Sequence, residues 1–192
     1  MKFALCSVLA LGLAGSLSAG ELHGKVACKG VRNSADAVVY LAAIPGKTFT
    51  APAKHAEMDQ KNLVFAPHVL PIQVGTTVDF KNDDSVLHNV FSPDACCNRF
   101  NLGTWPQGQS RSYTFKNECQ ATLLCKVHPE MEGFIVAVPT PYYAVTKADG
   151  SFVIKNVPDG QFTVKVWHPT LKGTQKAVKV AGNTQVDFEI AR

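Results

Sequence analysis

No long helical period runs through this 192-residue sequence. Its apolar residues alternate or fall in short runs between Gly, Pro and Asn-Asp turns, a pattern that points to strands. Charge is sparse, at 18% of residues, with a formal net charge of +4. The positive charges are scattered, without a basic block or an aromatic-interleaved stripe, which argues against a nucleic-acid partner. The paired Cys-x2-Cys spacing of a zinc site is missing. So is any Ser-His-Asp or paired-carboxylate arrangement, and the reading is therefore not an enzyme. There is no internal repeat and no low-complexity tract. What is present, 46% hydrophobic residues, is a soluble globular composition with enough chain for one domain or two small ones.

Residues 1–19 read as a secretory signal peptide. Lys2 gives a basic start, a short apolar run follows, and Ser16-Leu-Ser-Ala-Gly20 supplies small residues for cleavage after Ala19 or Gly20. The run is too short for a membrane span, so no span is expected in the mature chain. Lys2 is the only charged side chain in this stretch, and the chain beyond it carries one positive charge fewer, +3. The expected compartment is a bacterial periplasm.

Expected strands are Gly24–Cys28, Ala37–Ala43, Val69–Val74, Thr76–Lys81, Leu87–Phe91, Arg111–Phe115, Ala121–Leu124 and Gly133–Val138. In Thr76–Lys81, Val78 and Phe80 face one way and Thr77 and Asp79 the other. Lys81-Asn-Asp-Asp-Ser85 is turn chemistry. After Pro139-Thr-Pro141 the strands become regular: 142–146, Ser151–Lys155, Gln161–Trp167, Gln175–Val180 and Gln185–Ile190, punctuated by Asp149-Gly150 and Asp159-Gly160. This second unit is small for a stable core on its own. Two arrangements fit. Either the early strands complete it, making residues 58–139 an insertion between 20–57 and 140–192, or Ala37–Ala43 opens the central sandwich. The insertion is preferred. The fold class is all-β.

The chemistry concentrates in Cys125-Lys-Val-His128-Pro-Glu-Met131. Three good ligand types recur at every third position, and His88 sits upstream in a strand-like stretch. A thiolate, two imidazoles and a thioether form the donor set of a blue-copper electron-transfer site. His88, Cys125, His128 and Met131 are thus the candidate ligands of one type 1 copper ion. A site of this kind leaves no open position for a substrate. A copper chaperone or storage module is the alternative to an electron carrier. His68 and His168 flank prolines and read as structural or surface residues, His23 and His55 as solvated loop residues, and Trp105 and Trp167 as core.

Six cysteines become five without Cys6. If Cys125 is a ligand, Cys28, Cys96, Cys97 and Cys119 remain, and an exported chain favours disulfides. Cys96 and Cys97 are neighbours, and a vicinal bond strains the peptide between them. Cys96 or Cys97 is expected to pair with Cys119.

Residues 58–139 resemble the cupredoxins, the small blue-copper proteins such as plastocyanin, pseudoazurin and amicyanin. The resemblance rests on residues 65–75, on Val78-Asp-Phe-Lys-Asn82, on the pair His88-Asn89 and on the last strand, 133–138. The Cys-x2-His-x2-Met spacing is similar to the short ligand loop of amicyanin. Most of the mature chain also resembles exported cupredoxin-like proteins labelled methylamine-utilisation proteins. The motifs are Met58-Asp-Gln-Lys-Asn62, His88-Asn-Val-Phe-Ser-Pro93, Phe100-Asn-Leu-Gly103 and Val166-Trp-His-Pro169. The tail around residues 149–160 is similar to transthyretin-like or carboxypeptidase-regulatory-like sandwiches. The resemblance implies a Greek-key cupredoxin sandwich, copper and a redox partner protein; the oligomeric state is open, with a monomer favoured. The resemblance also implies an Asn89 that ties two ligand loops together and a partly exposed His128 through which electrons pass. Cys96, Cys97 and Cys119 depart from the pattern.

Overall fold

The computed structural model describes residues 19–192. The expected signal peptide falls outside them, apart from Ala19. Seventeen strands follow in order. β1 is Ala19–Cys28, β2 Val38–Leu41, β3 Ala56–Lys61, β4 Val64–Ala66, β5 Val69–Gln73 and β6 Thr77–Lys81. β7 is His88–Ser92, β8 Phe100–Trp105, β9 Ser110–Thr114, β10 Cys119–Leu124, β11 Glu132–Val138 and β12 Tyr143–Val145. β13 is Ser151–Pro158, β14 Gly160–Trp167, β15 Thr174–Val180, β16 Thr184–Gln185 and β17 Phe188–Ile190. Among the described residues the only helical element is a 3-10 turn, Ala95–Cys97, and no helix there is long and apolar enough to cross a membrane. The fold is all-β.

The strands form four sheets. One orders β5-β11-β10-β7-β8, and β4-β3-β6-β9 faces it across a core of Met58, Val78, Phe80, Trp105, Leu123, Ile135 and their neighbours. A second pair of sheets joins the two ends of the chain. β1 pairs with β13, β16 and β17, and β2 pairs with β12 and β14. Their core holds Leu22, Val39 and Leu41 from the first end and Phe152, Val164 and Phe188 from the second. β3 begins at Ala56, two residues ahead of the limit expected for the central unit.

Side-chain alternation explains most elements. β6 buries Val78 and Phe80 and leaves Thr77, Asp79 and Lys81 half-buried. β14 buries Phe162, Val164 and Val166 in the same way. β11 and β2 differ, because they are buried on both faces. Ile135 and Ala137 enter the central core, while Phe134, Val136 and Val138 pack against Val38 and Tyr40 of β2. The unbroken apolar runs of β11 and β2 thus glue the two sandwiches back to back. An exposed link, His68 Nδ1 to Asp36 Oδ2 at 2.9 Å, crosses the same boundary.

β3, β4 and β8 have no counterpart among the expected strands. In β3 the buried face is Met58 and Gln60, so the apolar alternation breaks. Gln60 satisfies one end of its amide inside, where Nε2 donates to the Lys81 carbonyl at 2.9 Å, and its Oε1 has no partner among the described residues. β8 is an edge strand that buries only its ends, Phe100 and Trp105. His23 is a correction of another kind: it lies half-buried within β1, paired opposite Val153, and not in a loop. Trp105 has no exposed surface, and Trp167 is half-buried against Phe134, with ring centroids 5.6 Å apart.

The disulfide joins Cys96 to Cys119, with Cα atoms 5.3 Å apart, as one of the two expected pairings. It ties the 3-10 turn beyond β7 to the start of β10. Closing a loop of this length stabilises by about 3 kcal/mol. Cys28, Cys97 and Cys125 are free. The buried Cys97 thiol donates to the Asp94 carbonyl at 3.2 Å and to Ser92 Oγ at 3.3 Å.

Ile135 has no exposed surface and sits mid-strand in the central core. Ile135→Ala should destabilise the protein by about 2–5 kcal/mol. Equilibrium urea unfolding checks this: the midpoint should fall with the slope unchanged.

Candidate metal centre

β7 and β10 are antiparallel neighbours, with Leu124 opposite Phe91. That pairing places His88, the first residue of β7, beside Cys125, the first residue after β10. The chain then turns before β11, and the Met131 N–H donates to the His128 carbonyl at 3.1 Å. This bend returns His128 toward β7. Ligand-type atoms of His88, Cys125 and His128 all lie within 4.8 Å of one another. Cys125 Sγ is 3.9 Å from His88 Nδ1, and His88 Nδ1 is 3.0 Å from His128 Nδ1. Among the described residues this is the only such cluster, and it contains neither Cys28 nor Cys97.

Burial is graded across the site. His88 has no exposed surface, Cys125 and Met131 are buried, and His128 is half-buried. Met131 belongs to the central apolar core with Cys125. His128 is therefore the only one of the three gathered donors that reaches solvent.

Asn89 holds the two donor-bearing segments together. Its backbone N–H donates to Cys125 Sγ at 3.4 Å, and its Oδ1 accepts the Lys126 N–H at 3.3 Å. Its Nδ2 donates to Asn101 Oδ1 at 2.8 Å and to the Gly103 carbonyl at 2.6 Å on β8. A buried side-chain amide has few chances to satisfy both ends, and this one does. Its position is consequently well determined, and so is that of the thiol it supports.

The far nitrogen of His88 has its own partner. Nε2 lies 2.8 Å from Asp84 Oδ2. Asp84 Oδ1 accepts the Asn62 N–H at 2.6 Å, and Oδ2 accepts the Leu63 N–H at 2.9 Å. Asn62 and Leu63 form the two-residue turn between β3 and β4, both with positive φ, at 57° and 60°. Leucine rarely adopts that conformation, and the carboxylate fastens the turn that requires it. Burial of the Asp84 carboxyl opposes its ionisation. The Leu63 N–H, the His88 ring and the Asn62 N–H outweigh that, and its pKa lies below the usual value. The sequence had shown Asp84 only as a turn residue.

The other histidines stand apart. His55 Nδ1 is 3.0 Å from Asp79 Oδ1, and His68 is paired with Asp36. His168 accepts the Thr170 N–H at 3.2 Å, and burial pushes its pKa down.

The sequence model of the copper-binding proteins of the plastocyanin/azurin family matches residues 52–138. This region is a cupredoxin. Three solved structures that match the chain are a purple cupredoxin, an amicyanin variant and a nitrite reductase. The purple cupredoxin from Nitrosopumilus maritimus is 29% identical over 43% of this chain and 98% of that one, with a TM-score of 0.39. A reduced amicyanin variant is 23% identical over 45% of this chain and 84% of that one, with a TM-score of 0.42. A copper-containing nitrite reductase from Thermus scotoductus SA-01 is 24% identical over 52% of this chain and 25% of that one, with a TM-score of 0.44. No curated protein matches the chain.

Copper suits the donors that this cupredoxin gathers. Thiolate sulfur and imidazole nitrogen together are a copper set. Donor atoms about 2.0–2.3 Å from a shared ion stand about 3–4 Å apart, as these do. With each ring's proton on Nε2, the two Nδ1 lone pairs and the sulfur face one another, an arrangement that a shared cation relieves.

Asn89→Ala should leave the Lys126 N–H and the Gly103 carbonyl without their buried partner and cost about 1–3 kcal/mol. Thermal unfolding of the metal-free protein reads the loss. An unchanged melting temperature would refute the clamp.

Proposed function

We propose that this protein is an exported, periplasmic one-electron carrier with a single type 1 copper held by His88, Cys125, His128 and Met131. The observation that carries the reading is the convergence of His88 Nδ1, Cys125 Sγ and His128 Nδ1 at the end of a rigid sandwich. Bound copper would supply a centre that cycles between Cu(I) and Cu(II) at a thiolate. The chain's own contribution is to keep the donors still. The Asn89 bonds and the β7–β10 pairing resist rearrangement of the site, and small rearrangement keeps the barrier to electron transfer low. The Asn89 N–H directed at Cys125 Sγ stabilises negative charge on the sulfur and tunes the potential. Pro129 lacks an N–H, which removes one possible donor from the ligand loop.

The surface around His128 supports a carrier with a protein partner. Six large hydrophobic side chains are exposed among the described residues, and five of them are Leu63, Val64, Val86, Leu87 and Val127. Val127 and Leu87 adjoin His128 and His88, and Leu63 is bonded to the same Asp84 as His88. Exposed apolar surface beside a half-buried imidazole, as at Val127, lets a partner approach with less water to strip from charges. A storage role has less support, since the free thiols Cys28 and Cys97 stand outside the donor cluster. The Cys96–Cys119 disulfide accords with an oxidising compartment.

Copper titration with absorption spectroscopy tests the proposal. One equivalent of Cu(II) should produce an intense thiolate-to-copper band that bleaches reversibly on one-electron reduction. A protein that takes up copper without that band is not a type 1 carrier. Cys125→Ser should abolish the band while the far-UV circular dichroism persists; a retained band would assign the wrong sulfur. Met131→Leu should keep the colour and raise the reduction potential in protein-film voltammetry. An unchanged potential would remove Met131 from the donor set.

A further inference from the structure

We propose that Asp84 is a positioning residue for His88: it keeps the ring proton on Nε2, locks the ring's rotation, and so presents the Nδ1 lone pair to the copper-binding cluster. This rests on the reading that His88 is a ligand through Nδ1. Three observations carry it. Asp84 Oδ2 is 2.8 Å from His88 Nε2, on the side of the ring away from Cys125 and His128. The ring is fully buried, so no water competes for that nitrogen. The carboxylate is itself immobilised, with the Asn62 N–H on Oδ1 and the Leu63 N–H on Oδ2. Its backbone is pinned as well, because the Asp84 N–H donates to Asn82 Oδ1 at 2.9 Å. The fully buried Asn82 in turn donates to the carbonyls of Val86 and Trp105. Trp105 lies opposite His88 across the β7–β8 pairing, so the loop closes on the ring from both sides.

The chemistry follows from that geometry. A neutral imidazole has one N–H and one lone pair, and an ionised carboxylate can only accept. With Asp84 facing Nε2, the N–H belongs there and the lone pair belongs on Nδ1. A carboxylate partner also makes the imidazole a more basic ligand, which favours Cu(II) over Cu(I). The β3–β4 turn is part of the device, since its two N–H groups hold the carboxylate in register.

The test uses the full chain with Asp84→Ala, Asp84→Asn and Asp84→Glu. Long-range proton–nitrogen NMR on the metal-free protein reads the His88 tautomer directly. The wild type should show a single Nε2–H form. Asp84→Ala should show a substantial Nδ1–H population, and its Cu(II) affinity should fall roughly 10–100-fold. Asp84→Asn can retain an acceptor oxygen for the ring but has lost the charge. It should keep the Nε2–H form, raise the reduction potential, and serve as the folded comparison if the Ala variant fails to fold. Asp84→Glu should recover part of the affinity. An unchanged potential in Asp84→Asn would overturn the proposal, as would an Ala variant with wild-type tautomer and affinity. A wild-type His88 ring whose signals ignore added Cu(I) would overturn the ligand reading, and this assignment with it. Wild-type shifts upon Cu(I) combined with inert variants would overturn the Asp84 role alone.

Discussion

The site depends on one residue's hydrogen bonds. Asn89 follows the buried His88 on β7, supports Cys125 Sγ with its backbone N–H, and binds the Lys126 N–H with its side chain. Two chain segments 36 residues apart are held at a donor-to-donor distance of 3.9 Å by that arrangement. Without it, a loop bearing cysteine, histidine and methionine would have no fixed relation to the strand bearing His88. The amide's second end is anchored to β8, so the clamp is referred to the whole sheet.

The rest of the architecture insulates this cluster. The central core fills the space beneath it with Met131, Cys125, Trp105 and Phe80, and keeps water away from the sulfur. The outer face of β11 is covered by β2, so the strand that follows the ligand loop is packed on both sides. A doubly packed strand resists local opening. The second sandwich thereby stiffens the frame of a site that it does not touch.

Legibility varied with how far a feature could be read locally. The central donors were legible because ligand types at every third position are rare by chance and the chain's own bend brings two of them together. The alternation of Val78 and Phe80, and of Phe162, Val164 and Val166, was legible because each strand has one wet face. β3 was hidden because its inner face includes Gln60, a polar residue whose side-chain N–H finds its acceptor in a carbonyl 21 residues away. β8 was hidden because an edge strand needs few apolar residues. Asp84 looked like turn chemistry, and it is that; its bond to His88 Nε2 required knowing which way the ring faces.

By itself, the sequence determined the all-β class and the donor types and favoured Cys96 or Cys97 as the partner of Cys119, because composition, alternation and spacing are local properties of the chain. Only the tertiary structure decided which sulfur joins it, since Cys96 and Cys97 are equivalent in sequence and differ in direction: one meets Cys119, the other turns to Ser92 and Asp94. It alone decided that both imidazoles present Nδ1, that the β3–β4 turn fastens the carboxylate behind one of them, and that β11 is buried on two faces. These are relations between distant segments, and they exist only once strands from different parts of the chain have paired.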